Sequence, residues 1–103
     1  MLKAPKKGIK WEKFGFGFSD VNCHLRMTWK NGKWSKPTFV KDPWIKMHIG
    51  AACLHYGQEC FEGIKCFRQK SGKIVIFRPE ENAKRMYRTA VRTCMAPVPE
   101  EMF

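Results

Sequence analysis

The chain has 103 residues, 44% of them hydrophobic and 14% aromatic, with 20 Lys and Arg against 9 Asp and Glu and a formal net charge of +11. That length holds one modest domain at most, or part of one, and that composition excludes a disordered tail. The basic surplus attracts polyanions and says nothing about fold.

The opening "MLKAPKKGIKWEKF" lacks the apolar core of a secretory signal. No run approaches the roughly 20 apolar residues of a membrane span. A cytoplasmic location is expected; the basic, nearly acid-free start leaves a mitochondrial one open. Five cysteines, Cys23, Cys53, Cys60, Cys66 and Cys94, form no framework spacing and are expected as reduced thiols.

Residues 1–13 read as a basic lead-in and residues 14–103 as the folded part. "FGFGFSD" alternates aromatic residues with glycine, the period of an extended segment. "CHLRMTWK" places Cys23, Leu25, Met27 and Trp29 on one strand face, and Asn31-Gly32 is a strong hairpin signal. "KWSKPTFV" is the expected return strand, with Pro37 held to an edge or an end. After the connection "KDPWIKMHIGAA", "CFEGIKCF" reads as a strand with Gly63 at a bulge or close approach. "RQKSGK" is turn chemistry and "IVIF" a second strand. A helix is predicted from Pro79, with Glu80 and Glu81 at its positive end and Ala83, Met86, Ala90, Val91 and Cys94 on its apolar side; it stops before Pro97. Strands followed by a helix make an α+β unit.

Several constellations compete for a function. Gly15, Phe16, Gly17 and Phe18 match part of an RNA-binding aromatic motif, so a basic aromatic module for single-stranded nucleic acid is one reading. Phe14 stands where that motif needs a basic residue, and no second aromatic strand follows. Cys53, His55, Cys60 and Cys66 offer soft metal ligands without the close pair of a structural zinc site. His55 beside Cys53 and Cys60 lacks an identifiable orienting group for nucleophilic chemistry, and inert buried thiols are the plainer reading. No metal and no membrane partner is expected. A fourth set is Phe14, Tyr56 and Phe61, rigid aromatics able to line an aliphatic pocket, with Arg85, a guanidinium able to grip a phosphate. Spacing alone leaves each of these residues open to a core or surface role.

"FGFGFSD", "LHYGQECFEGIKCFRQKSGKIVIFRPEENAKRMYRTAVR" and "PVPEEMF" resemble the N-terminal portion of branched-chain amino-acid aminotransferases, pyridoxal-phosphate enzymes of fold type IV. The resemblance runs from about Phe14 to Phe103. Its most specific blocks are "LHYGQ-x-x-FEG" and "FRP-x-x-N-x-x-R". It implies the small α+β domain of such an enzyme, incomplete without a large domain. Arg85 would hold the phosphate of pyridoxal 5'-phosphate, and Tyr56, Phe61 and Phe14 would face the substrate side chain. The implied reaction is reversible amino transfer between leucine, isoleucine or valine and 2-oxoglutarate, in a homodimer. Val21 and Asn22 depart from the pattern after "FSD". None of the lysines stands in the family's catalytic context, so the resemblance implies no catalytic residue in these 103 residues and no activity for them alone.

Overall fold

A computed structural model describes Glu12, Gly15, Gly17 and residues 21–103. Most of the basic lead-in, and the aromatic positions of "FGFGFSD", lie outside the described residues. The chain divides into two compact units, Met1–Lys46 and Met47–Phe103. Both are built from antiparallel pairs or helix, giving a mixed α+β fold.

In the first unit, strand β1 (His24–Arg26) pairs with β4 (Thr38–Val40), and β2 (Trp29–Lys30) pairs with β3 (Lys33–Trp34). The Asn31-Gly32 turn forms as expected: Asn31 has φ 51° and Gly32 φ 78°, the two left-handed positions of a tight hairpin. Trp29 and Trp34 face each other across it, ring centroids 5.5 Å apart and tilted by 59°. The expected single long strands are each broken. Thr28 and Ser35 replace ladder pairing with a bond from the Ser35 N–H to the Thr28 carbonyl (2.9 Å) and one from the Thr28 N–H to the Ser35 hydroxyl (3.0 Å). The buried face also differs from expectation. Leu25 is exposed while His24 and Arg26 are half-buried, because the Arg26 guanidinium donates to His24 Nε2 (3.0 Å) and to the Trp44 carbonyl (3.3 Å).

The second unit opens with the short helix α1 (Ala52–His55), which Tyr56 terminates. Strand β5 (Cys66–Arg68) pairs with β6 (Ile74–Ile76), so the second hairpin also forms. Its turn closes through the Gly72 N–H on the Gln69 carbonyl (2.9 Å), with Gly72 at φ 84°. The strand expected over Cys60–Phe67 is confined to its last two residues. Residues 57–65 are irregular because their hydrogen bonds run to a helix rather than to a neighbouring strand. Gly63 is neither a bulge nor a close approach: a Cβ there would meet nothing within 4 Å. The thiols are not deeply buried either; Cys66 and Cys94 are exposed and the other three intermediate.

Helix α2 (Pro79–Arg92) starts at the expected proline, with Glu80 and Glu81 in its first turn. Arg78 before it is left-handed (φ 46°) and lies 3.7 Å from Glu81. Ala83 and Ala90, two turns apart, are buried, and Asn82, Met86 and Thr89 flank them. Val91 is exposed, since eight residues on from Ala83 the helix has turned about 80° away from that stripe. Among the described residues these two alanines are the buried core, and it is small. Leu54, Tyr56, Phe61, Phe67, Ile74 and Phe77 all stay exposed.

The C-terminus of α2 is closed three ways. The Met95 N–H reaches the Ala90 carbonyl (2.8 Å) and the Cys94 N–H the Val91 carbonyl (3.2 Å), the paired bonds of a Schellman motif. The Thr93 hydroxyl donates to Thr89 (2.9 Å), and the Gln58 amide donates to the Thr93 carbonyl (2.8 Å), tying residues 57–65 to the helix end. Cys94 holds the left-handed position, φ 56°, that favours glycine. A left-handed non-glycine residue costs roughly 1–2 kcal/mol, against about 0.5–1 kcal/mol of extra chain entropy lost by glycine on folding. Cys94→Gly is therefore expected to raise the thermal unfolding midpoint of the protein, a stabilisation of about 0.5 kcal/mol. A lowered midpoint would contradict this account of the helix end.

Candidate functional site

Asn82 and Arg85 stand three residues apart on α2, hence on one side of it. Opposite them, in the irregular segment, lies Glu62. Arg85 Nε donates to Glu62 Oε1 and Arg85 Nη2 to Glu62 Oε2, each at 2.6 Å. Asn82 Nδ2 adds a 2.7 Å bond to Oε2 and a longer one, 3.3 Å, to the Gly63 carbonyl. This is a bidentate, charge-assisted pair with a third donor on the same carboxylate.

The two ends of the pair differ in exposure. The Glu62 side chain is 6% exposed, whereas that of Arg85 is 62% exposed. One edge of the guanidinium is fixed against an almost buried anion. Nη1 and the second N–H of Nη2 have no partner among the described residues. They form a second planar fork, the geometry that matches an oxyanion such as phosphate. Arg88 and Arg92 follow on the same helix and add positive potential.

Electrostatics follow the geometry. The Arg85 hydrogen bond, then that of Asn82, hold the Glu62 carboxyl down from 4.5 to about 2, against a smaller opposing effect of desolvation. The same contact pushes the Arg85 guanidinium further up. Glu62 is thus ionised across the whole physiological range.

Next to this pair is an open depression of about 350 Å³ lined by Gly63, Ile64, Lys65, Phe67, Phe77 and Asn82. Its aromatic walls are Phe67 and Phe77. Tyr56 and Phe61 are each 88% exposed, and no ring contact joins them among the described residues. Phe14 lies outside the described residues. Arg85 is therefore set in a built cluster, while Tyr56, at the end of α1, and Phe61, in the irregular segment, are exposed rings outside it. Glu62 and Asn82 were missed by spacing arguments, although they sit inside the two most specific sequence blocks, "CFEG" and "FRPEENAKR".

Because the folded carboxyl titrates below its ordinary value, the pair's contribution to stability is complete above about pH 4.5 and is lost as the pH falls through about 2. Carbon NMR of the Glu62 carboxyl is expected to give a midpoint near 2 and to move upward in Arg85→Ala, and less so in Asn82→Ala. An unshifted midpoint in Arg85→Ala would contradict the pairing.

No protein-family model matches the chain. It is 43% identical over 97 residues to a branched-chain-amino-acid aminotransferase of Haemophilus influenzae, an alignment covering 94% of this chain and 28% of that protein. The corresponding enzyme of Helicobacter pylori is 39% identical over 97 residues, 94% of this chain and 28% of its own length. A transaminase of Aspergillus rugulosus, htyB, is 42% identical over 103 residues, 98% of this chain and 27% of its own. The chain spans little more than a quarter of the length of these curated relatives. Over nearly all of its own length, it is similar to part of branched-chain-amino-acid aminotransferases.

Proposed function

We propose that these residues are the small-domain part of a fold-type-IV branched-chain aminotransferase, with Arg85 as a clamp on the phosphate of pyridoxal 5'-phosphate. The observation that carries the reading is the 43% identity sustained over 94% of the chain. The local geometry agrees with it. The open edge of Arg85 carries unpaired N–H donors on an exposed, basic helix face, and such a donor set fits a dianionic phosphate.

In this reading each group has a limited task. Bound pyridoxal phosphate supplies the electron sink for amino transfer. Arg85 anchors its phosphate and so fixes its distance from the rest of the site. Tyr56, Phe61 and Phe14 form the wall for a leucine, isoleucine or valine side chain. An aromatic wall gives such a chain about 1.5–3 kcal/mol of burial while offering it no hydrogen bond. The catalytic amine comes from polypeptide outside these 103 residues, and 2-oxoglutarate is the amino acceptor. The exposed Leu54, Tyr56, Phe61 and Phe77 then become surfaces that the remainder of a homodimeric enzyme covers.

Arg85→Ala in the full-length protein is expected to weaken retention of pyridoxal phosphate by about tenfold or more, read by absorbance after dialysis. Retention equal to that of the unaltered protein would remove Arg85 from the site. Phe61→Ala is expected to reduce kcat/KM for leucine relative to alanine by about tenfold, with cofactor loading nearly unchanged. An unaltered leucine-to-alanine ratio would take Phe61 out of the substrate wall.

A further inference from the structure

The proposed clamp raises a problem of its own. Arg85 already holds an anion, Glu62, through two of its donors. Two physical effects oppose each other. A carboxylate close behind the guanidinium repels an incoming phosphate and neutralises part of the charge that attracts it. Against this, a long flexible side chain on an exposed helix face loses rotamer freedom when it grips a ligand, and a side chain already fixed does not lose it again.

The structure favours the second effect. Glu62 is almost buried at 6% exposure, and its Oε2 is also held by Asn82 at 2.7 Å, so it is an anchored support rather than a loose surface acid. It takes the Nε edge of Arg85 and leaves the Nη1–Nη2 edge pointing to the 62% exposed side. A free arginine has several forks to offer; this one has a single edge left. The contacts around Glu62 come from donors alone: Nε and Nη2 of Arg85 and Nδ2 of Asn82.

We infer that Glu62 is a positioning residue for phosphate recognition, fixing the inner edge of Arg85 so that only its outer edge is offered to the cofactor's phosphate. This rests on the reading of Arg85 given above. Asn82 acts one step further back, holding the Glu62 carboxylate in register with the helix. Neither residue touches the reacting atoms.

The sign of one substitution separates this role from simple charge competition. Glu62→Gln in the full-length protein keeps the shape of the side chain and removes its charge. Competition predicts tighter binding of pyridoxal phosphate; positioning predicts weaker binding, on the order of tenfold, as is usual when an outer partner of a binding group is lost. Pyridoxal, which lacks the phosphate, serves as the second probe. Dissociation constants for both ligands, read by absorbance titration of the apoprotein, are expected to show the loss for pyridoxal phosphate only. Glu62→Asp, which retains the charge, is expected to recover part of it. In an Arg85→Ala background, Glu62→Gln is expected to add no further loss.

Equal weakening for both ligands would assign Glu62 to general stability and overturn the inference. Unchanged or tighter binding of pyridoxal phosphate, with Arg85→Ala still impaired, would overturn it while leaving the clamp intact. Full affinity in Arg85→Ala would remove the clamp itself. Where Glu62→Gln does not accumulate as folded protein, Asn82→Ala takes its place, with a smaller loss expected, again for pyridoxal phosphate alone; a loss shared by pyridoxal would again overturn the inference.

Discussion

The second unit is organised by one carboxylate. Glu62 receives Arg85 through both of its oxygens and Asn82 through one, all within 2.7 Å. Residues 57–65 have no strand partner and contribute little to a core whose buried members, among the described residues, are Ala83 and Ala90. What holds this segment to α2 is therefore polar: Glu62 at the start of the helix and Gln58 at its end, where the amide reaches the Thr93 carbonyl. With so little apolar burial available, two hydrogen-bonded ties about two to three helical turns apart fix the segment's direction along the helix. They also fix where Tyr56 and Phe61 emerge.

That arrangement explains the uneven character of the candidate site. Arg85 is held on one edge and open on the other, with its partner almost buried. Tyr56 and Phe61 are placed by the backbone but meet no described ring. One anchored guanidinium with exposed aromatic rings nearby is the form that the proposed function expects of one side of a cleft. The apolar side chains left open along β5, β6 and residues 54–61 agree with that reading, since isolated soluble units rarely leave so many together.

The elements set by local chemistry were legible in the sequence. Asn31-Gly32 demanded positive φ at both positions and formed the turn; Pro79 with two following glutamates opened the helix; the Gly72 turn joined two short apolar runs. Elements that depend on distant partners were not legible. Period-two alternation in "CFEGIKCF" pointed to a strand, but Glu62 binds Asn82 and Arg85, twenty or more residues on, and that attraction overrides the alternation. Likewise Leu25 lost the inner face to Arg26, whose hydrogen bonds reach His24 and Trp44. Arg78 and Cys94 adopt left-handed conformations that no residue preference would have assigned to them. The resemblance singled out Arg85, whereas its pairing with Glu62 appears only in three dimensions. Phe14 belongs to the same expectation and lies outside the described residues.

The central claim is that one guanidinium faces two anions, a fixed carboxylate within and a phosphate without. A crystal structure of the full-length protein grown with pyridoxal 5'-phosphate tests it most directly. The account predicts phosphate oxygens against Nη1 and Nη2 of Arg85 while Nε stays on Glu62. A phosphate bound away from Arg85, or an Arg85 that has released Glu62 to reach it, would contradict the account.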